Sequence, residues 1–335
     1  MGVVSNISVL GTPLVSVVMS VYNEERWLPR SIESVLSQAY TNFEFIIVNN
    51  GSTDNSQSVL EHYASMDSRI LILGYPDLGL AKALNHGLKY VNGEYIARMD
   101  ADDMCLPERF ARQVDFLNEH QEIALVASGI TLMSASGKVI GSRTYPSKDS
   151  ELRDLLLEVR HPLPNPTVML RKSVLDDVGG YDEFFEKAED YAFLLRLMQN
   201  YQLGSIPEPL LLYSYRTDSE AGNDGVAKQL RFDLLARALY SQGLLLGRSF
   251  VDPGINKSFI NRFDDWFVDR GFAKLHKSAL ERRNCLRLYA EHRYVASFIS
   301  LLRSILIDPG YIGRKLTGSQ SLWHDQYDQV FSSWV

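Results

Sequence analysis

Three carboxylates stand within four residues at Asp100-Ala101-Asp102-Asp103. Packed this closely they repel one another, and a fold tolerates them best when water or a cation screens them. Magnesium and manganese take hard oxygen ligands, commonly one or two carboxylates with substrate phosphates completing the shell. On its own the cluster is therefore either a divalent-metal site or a solvated acidic turn ahead of a helix starting near Pro107. A second pair, Glu189-Asp190, opens a helical stretch through Leu194, Leu195 and Met198. Neighbours on a helix point about 100° apart, so one carboxylate can act while the other orients it or caps the helix. A helix N-terminus favours the ionised form and keeps a base available, although ordinary first-turn acids carry the same signature. A third cluster, Val48-Asn49-Asn50-Gly51-Ser52-Thr53-Asp54, offers backbone donors and side-chain amides of the kind a nucleobase needs, yet such segments are mostly just turns. Neither a G-x-x-x-x-G-K-[ST] phosphate loop nor a G-x-G-x-x-G dinucleotide fingerprint is present.

The surrounding pattern says what must position these groups. Val15–Val21 is Val-rich and spells a buried strand; Trp27, Leu28, Ile32, Val35 and Leu36 follow at helical spacing. Phe43–Val48 is a second strand, with Asp54 placed to cap the helix after it. Ile70–Leu73, Leu80–Tyr90 and Glu94–Met99 continue the alternation as strand, helix and strand. Such repetition predicts an α/β fold with right-handed crossovers and a mostly parallel sheet flanked by helices. Ligands of these sheets bind beyond the carboxyl ends of the strands. Tyr22-Asn23-Glu24, Asn49-Asn50-Gly51 and Asp100-Ala101-Asp102 each follow an apolar strand, so they converge on one edge. That placement favours the cation over the solvated turn. Between residues 128 and 209 several prolines suggest loops over the sheet edge, and from Val226 onward the pattern is helical. The composition changes near Gly222–Gly225, which divides the chain into 1–222 and a helical region 223–335.

The bulk numbers exclude several classes. With 335 residues, 45% hydrophobic and 22% charged, the chain has an ordinary globular composition. A net charge of −7 argues against a nucleic-acid partner. The charge is uneven, because residues 271–315 carry nine Lys/Arg against three acids, a basic face suited to docking. Two distant cysteines, Cys105 and Cys285, build neither a disulfide framework nor a zinc site, which fits a reducing cytoplasm. Residues 1–13 lack the basic start of a signal peptide, and no apolar run reaches the ~20 residues of a membrane span. The stripe of Tyr294, Val295, Phe298, Ile299, Leu302, Ile305 and Leu306 suits packing on the rest of the chain or on a second subunit. With Arg282, Arg283, Arg287 and Arg293 upstream, it equally suits an anionic membrane surface. His161, among Pro162, Pro164 and Pro166, fits a structural hydrogen bond better than an acceptor contact, and Trp266, Trp323 and Trp334 fit core packing better than sugar stacking.

Taken in order, the motifs resemble the inverting family 2 glycosyltransferases of the GT-A fold, the kind that builds bacterial surface glycans. The resemblance runs through Pro13–Glu24, Ser34-Val35-Leu36-Ser37-Gln38 and Gly51-Ser52-Thr53-Asp54. It continues through Gly79-Leu80-Ala81 with Asn85 and Gly87, Gly93–Asp103, Gly179-Gly180-Tyr181-Asp182, Glu189-Asp190 and Tyr215-Arg216. It covers roughly residues 13–218. The resemblance implies a nucleotide-sugar-binding, catalytic region over 1–222 with a C-terminal helical extension for acceptor, membrane or oligomer contacts. It also implies transfer of a hexosyl or N-acetylhexosaminyl group from a nucleotide-diphosphate donor, with a UDP-sugar favoured, to a glycan or lipid-linked acceptor. Ser20, Tyr22 and Glu24 then resemble the residues touching base and ribose, Asp100 with Ala101 the ribose and metal region, and Asp102 the ligand of Mn2+ or Mg2+. Asp190 matches the catalytic base, with Glu189 beside it. The chain departs from the family at Asn49, where Asp is usual, at Leu84, where Arg is frequent, and at Asp218, where His is frequent. Asn49 is carried as a donor-binding residue, and Lys82 as a replacement for the missing charge near the diphosphate. Asp103 is assigned a structural role. Two other functions compete: an inactive relative serving as a scaffold, and a sugar-phosphate nucleotidylyltransferase, whose Gly-rich basic loop is missing after Val21.

Overall fold

The computed structural model describes residues 12–185, 187–215, 225–241 and 253–269. Asp218, Cys285, the basic stretch 271–315, the apolar stripe 294–306, Trp323 and Trp334 lie outside those residues.

Four parallel strands form the first half of the sheet: β1 (Val15–Val21), β2 (Phe43–Asn50), β3 (Ile70–Tyr75) and β4 (Tyr95–Asp100), in the order β3-β2-β1-β4. Helices α1 (Leu28–Leu36), α2 (Ser56–Met66) and α3 (Leu80–Leu88) make the crossovers. The chain winds outward from β1 to β3, then returns to the other side of β1 as β4, so a topological switch point lies between β1 and β4. Side chains alternate between two cores. Val15, Val17, Met19 and Val21 pack under α1, with Leu28, Ile32 and Val35, while Val18 joins Leu84 of α3 on the opposite face. Gly87 is required where α3 crosses the sheet, because a Cβ there would stand 3.0 Å from Val48 and 3.1 Å from Val18.

Beyond β4 the sheet becomes mixed. A short strand β5 (Met104–Cys105) and helix α4 (Arg109–Glu119) lead to β6 (Ile123–Ser134) and β7 (Val139–Arg143). Helix α5 (Asp149–Leu157) precedes β8 (Met169–Arg171), α6 (Lys172–Val178), α7 (Glu189–Asn200) and β9 (Gln202–Tyr215). The order continues β4-β8-β6-β9-β5, with β7 beside β6. Residues 128–209, expected as loops, are thus largely built into strands and helices. The prolines misled: Pro209 pairs with Gly129 where the β6–β9 register shifts, and such irregularities accept the missing N–H. Gly129 is needed there, since a Cβ would meet the Pro207 carbonyl at 2.5 Å.

Helices α8 (Gly225–Ser241) and α9 (Pro253–Asp269) follow, as the helical pattern after Val226 predicts. Phe232, Leu235, Ala236 and Leu239 of α8 are buried in the same core as Tyr191, Leu194 and Leu195 of α7. Among the described residues no helix is long and apolar enough to cross a membrane.

Candidate active site

The register brings the strand ends together. Ser20 lies opposite Val48 on one side and Asp100 on the other, and Val21 lies opposite Asn49. The loops beyond β1 and β2 are then laced to each other. Asn23 adopts a left-handed backbone, its N–H donates to Ser52 Oγ at 3.1 Å, and its side-chain oxygen accepts the Thr53 N–H at 2.8 Å. The Glu24 N–H donates to Ser56 Oγ and the Glu25 N–H to Asp54, while Glu25 accepts the Asn55 N–H. Asp54 also accepts the Ser56 N–H at 3.0 Å, but the N-cap of α2 is Asn55, so Asp54, expected as the cap, makes a local turn one residue ahead of it. The two motifs therefore form one platform, with Tyr22 exposed on it at 38%. Ser20 and Glu24 are half-buried beside it. Asn49 is 8% exposed and occupied within the chain: its oxygen accepts the Ser52 N–H at 3.0 Å and its amide donates to Gln57, which donates to Glu61. Lys82 is half-buried in the first turn of α3.

The acidic turn after β4 rests on α1. Ser31 Oγ donates to the Asp100 carbonyl at 3.0 Å, and Arg30 reaches the Asp102 carbonyl at 3.2 Å. Ser214 of β9 donates its hydroxyl to the same Asp102 carbonyl, and Arg30 donates to that hydroxyl at 2.9 Å. Further along, Ser34 Oγ accepts the Cys105 N–H at 3.0 Å and Gln38 donates to the Leu106 carbonyl at 2.8 Å. Ser34 and Gln38 thus use the α1 motif to fix backbone that the sheet cannot pair. With their backbone clamped, Asp100 and Asp102 sit half-buried at the edge and Ala101 is buried between them. Asp103 points inward, accepting the Ser214 N–H at 2.7 Å. Burial first, then Asp102 and Asp100, push its carboxyl well above the usual range.

Arg98 is a functional neighbour of the turn that residue type and spacing do not reveal. It projects from β4 on the same face as Ile96 and Asp100, 3% exposed, and donates to Asp100 at 2.6 Å. Burial works against its charge, but Asp100, Tyr181 and Glu189 together outweigh it and raise its pKa. One oxygen of Asp100 is thereby committed to Arg98. The only earlier signal was a cation inside an otherwise apolar strand. Among the described residues no three His, Cys, Asp or Glu side chains form a complete metal cage. One or two carboxylates on a rigid turn nevertheless fit a hard cation whose shell substrate phosphates complete.

Glu189 and Asp190 open α7 within electrostatic reach of that cluster. Glu189 is 5% exposed, and burial, with Asp190 next, pushes its carboxyl up to about 8 while Arg98 pulls the other way. Its burial thus favours the protonated form more than for an ordinary carboxylate. Asp190 is half-buried, and one of its oxygens accepts the Tyr191 N–H at 2.7 Å. The loop before α7 is latched to α3 by Asn85, which donates to the Tyr181 carbonyl and accepts the Tyr181 N–H, both at 2.8 Å. Gly180 is glycine because a Cβ would collide with the Asn85 oxygen. His161 does make a structural bond, to Asp233 of α8 at 3.1 Å.

Residues 16–179 match the family model described as glycosyl transferase family 2. EpsE of Bacillus subtilis, whose name assigns it provisionally to the glycosyltransferases, is 36% identical over 214 residues, covering 62% of this chain and 75% of EpsE. The O-antigen biosynthesis glycosyltransferase WbnJ of Escherichia coli is 31% identical over 210 residues, 62% of this chain and 81% of WbnJ. In structure, the chain resembles S. aureus TarS 1-349, solved in complex with UDP-GlcNAc, with a TM-score of 0.56 at 15% identity over 89% of this chain and 91% of TarS 1-349. It also resembles the mannosyltransferase PcManGT of Pyrobaculum calidifontis, solved with GDP-Man and Mn2+, with a TM-score of 0.53 at 15% identity over 96% and 84% of the two chains.

Proposed function

Because the chain belongs to glycosyltransferase family 2 and has the GT-A fold, we propose that it is a metal-dependent, inverting enzyme that moves a sugar from a nucleotide diphosphate to a glycan hydroxyl. The observation that carries this reading is the meeting of four groups at one sheet edge: the Tyr22 platform, the clamped Asp100–Asp102 turn, buried Arg98 and the start of α7. UDP is the favoured nucleotide. TarS supports it by its bound UDP-GlcNAc, while PcManGT, with GDP-Man, makes the guanine donor the alternative to test. Lipid-linked acceptors at the inner membrane face suit the basic region 271–315, and residues 223–335 are assigned the acceptor, membrane or oligomer contacts.

Ser20, Tyr22, Glu24 and Asn49 would receive base and ribose, and Lys82 would stand toward the diphosphate. Asp102, with Asp100 secondary, would hold a divalent cation, which when bound supplies positive charge against the leaving diphosphate. Asp190 accepts the proton of the acceptor hydroxyl as its oxygen attacks the anomeric carbon. The bond from that carbon to the diphosphate oxygen breaks, and one displacement with one base inverts the centre. Glu189, buried and with its carboxyl pushed upward, stands beside Asp190 at the start of the helix and orients it.

The test is a donor panel, UDP- and GDP-sugars with and without manganese, scored by thermal stabilisation and by release of the nucleotide. Manganese-dependent turnover of a UDP-sugar is expected. Asp190→Asn should lose roughly 10²–10⁴-fold in kcat. Metal-independent turnover, or an active Asp190→Asn variant, would remove the corresponding part of the reading.

A further inference from the structure

The segment before β8 carries His161, and α8 carries Asp233, which lies outside the matched family region. The imidazole Nε2 and the Asp233 carboxylate are 3.1 Å apart, with the two side chains 31% and 7% exposed. The His161 ring lies on Tyr191, their centroids 5.1 Å apart and their planes tilted by 42°. Tyr191 is the residue whose N–H is bonded to Asp190. A single run of contacts thus leads from α8 through His161 to the start of α7.

Asp233 is costly where it stands. It lies in a stretch of α8 buried all round, with Leu234, Leu235, Ala236, Ala238 and Leu239, and its second oxygen is buried without a hydrogen-bond partner. An apolar residue would pack this position without the desolvation cost. The partner the acid has here is the His161 imidazole. We propose that His161 and Asp233 are positioning residues for Asp190, the pair holding an imidazole against Tyr191 next to the base and tying α8 into the catalytic end of the molecule. This rests on the reading of Asp190 as the base.

The groups facing His161 are Asp233 of α8 and Asp190 and Glu189 of α7; on its own segment Arg160 is paired with Glu158 at 2.9 Å. Burial opposes the imidazolium, but Asp233, then Asp190 and Glu189, outweigh it and raise its pKa to about 9. A raised histidine is charged below that value and loses its charge as pH rises through it. The imidazolium is therefore present at neutral pH, where a neighbouring carboxylate must stay ionised to act as a base.

The experiment uses the full-length chain and the variants His161→Gln, Asp233→Asn and Asp190→Asn. Transfer is measured as kcat and donor KM across pH, and the His161 ring is titrated by NMR. In His161→Gln, kcat is expected to fall about tenfold with donor KM within about twofold, the pattern of a lost transition-state contribution. The wild-type fall in kcat as pH rises through about 9 should vanish in that variant. The His161 titration should move down in both Asp233→Asn and Asp190→Asn. A folded His161→Gln protein with unchanged kcat and pH profile overturns the proposal; if that variant does not fold, the NMR titration in Asp190→Asn decides. An inactive Asp190→Asn with an unmoved His161 titration overturns the pairing alone. An active Asp190→Asn overturns the base assignment and this proposal with it.

Discussion

Within the turn 100–103, Asp103 is 1% exposed and accepts the Ser214 N–H, whereas Asp100 is 34% exposed and bound to Arg98. Identical side chains one to three positions apart thus do different work, and the difference comes from their partners rather than their type. Removing each should separate stability from activity. Asp103→Ala leaves a buried N–H unsatisfied and should cost about 1–3 kcal/mol, read from urea unfolding. Asp102→Ala should change stability by under about 1 kcal/mol. In rate it should lose at least roughly 10²-fold, measured at saturating manganese. Arg98→Met removes one partner of a largely buried ion pair and should cost about 2–3 kcal/mol, less than a fully buried pair because Asp100 meets solvent. If Arg98→Met were as stable and as active as the parent, the pair would not be holding Asp100.

Helices α1 and α3 do for the site what strands cannot. Ser31 and Ser34 of α1, and Gln38 just past its end, satisfy backbone groups of the acidic turn and of the residues after it, and Arg30 adds a charged donor. Asn85 of α3 imitates a strand edge for Tyr181 and so fixes the loop that delivers α7. Asn85→Ala should cost about 2–3 kcal/mol, because two hydrogen bonds are lost and both backbone partners are left part-buried. A drop in kcat should accompany the loss, since the start of α7 is then free to drift. Equal kcat in Asn85→Ala and parent, with stability lowered, would confine the latch to a structural role.

At the scale of the whole molecule, the helix that follows the sheet is part of its core. Leu235 is fully buried on α8 with Tyr191 and Leu194 of α7, and Leu235→Ala should cost about 2–5 kcal/mol. The division of the chain at 222/223 remains a proposal with a direct test: the melting of residues 1–222 alone. Because α8 covers an apolar face of α7, that fragment is expected to melt well below the full chain. Melting at the same temperature would make the first region an independent domain.

The sequence by itself determined the parallel half of the sheet, because strand and helix periods alternate cleanly from Val15 to Asp100 and each turn cluster falls at a strand end. It also determined the family, since the ordered motifs are local in sequence. Residues 128–209 were misread because prolines at a register shift look like loop signals until the partner strand is known. Only the tertiary structure decided which carboxylates face inward, that Arg98 neutralises Asp100, and that Asp233 meets His161 across 72 positions. Those facts depend on burial and on partners distant in the chain, and neither residue type nor spacing encodes them. The acidic turn was visible from the first residues read; the division of its carboxylates into a buried anchor, a paired acid and a metal-ligand candidate required the fold around it.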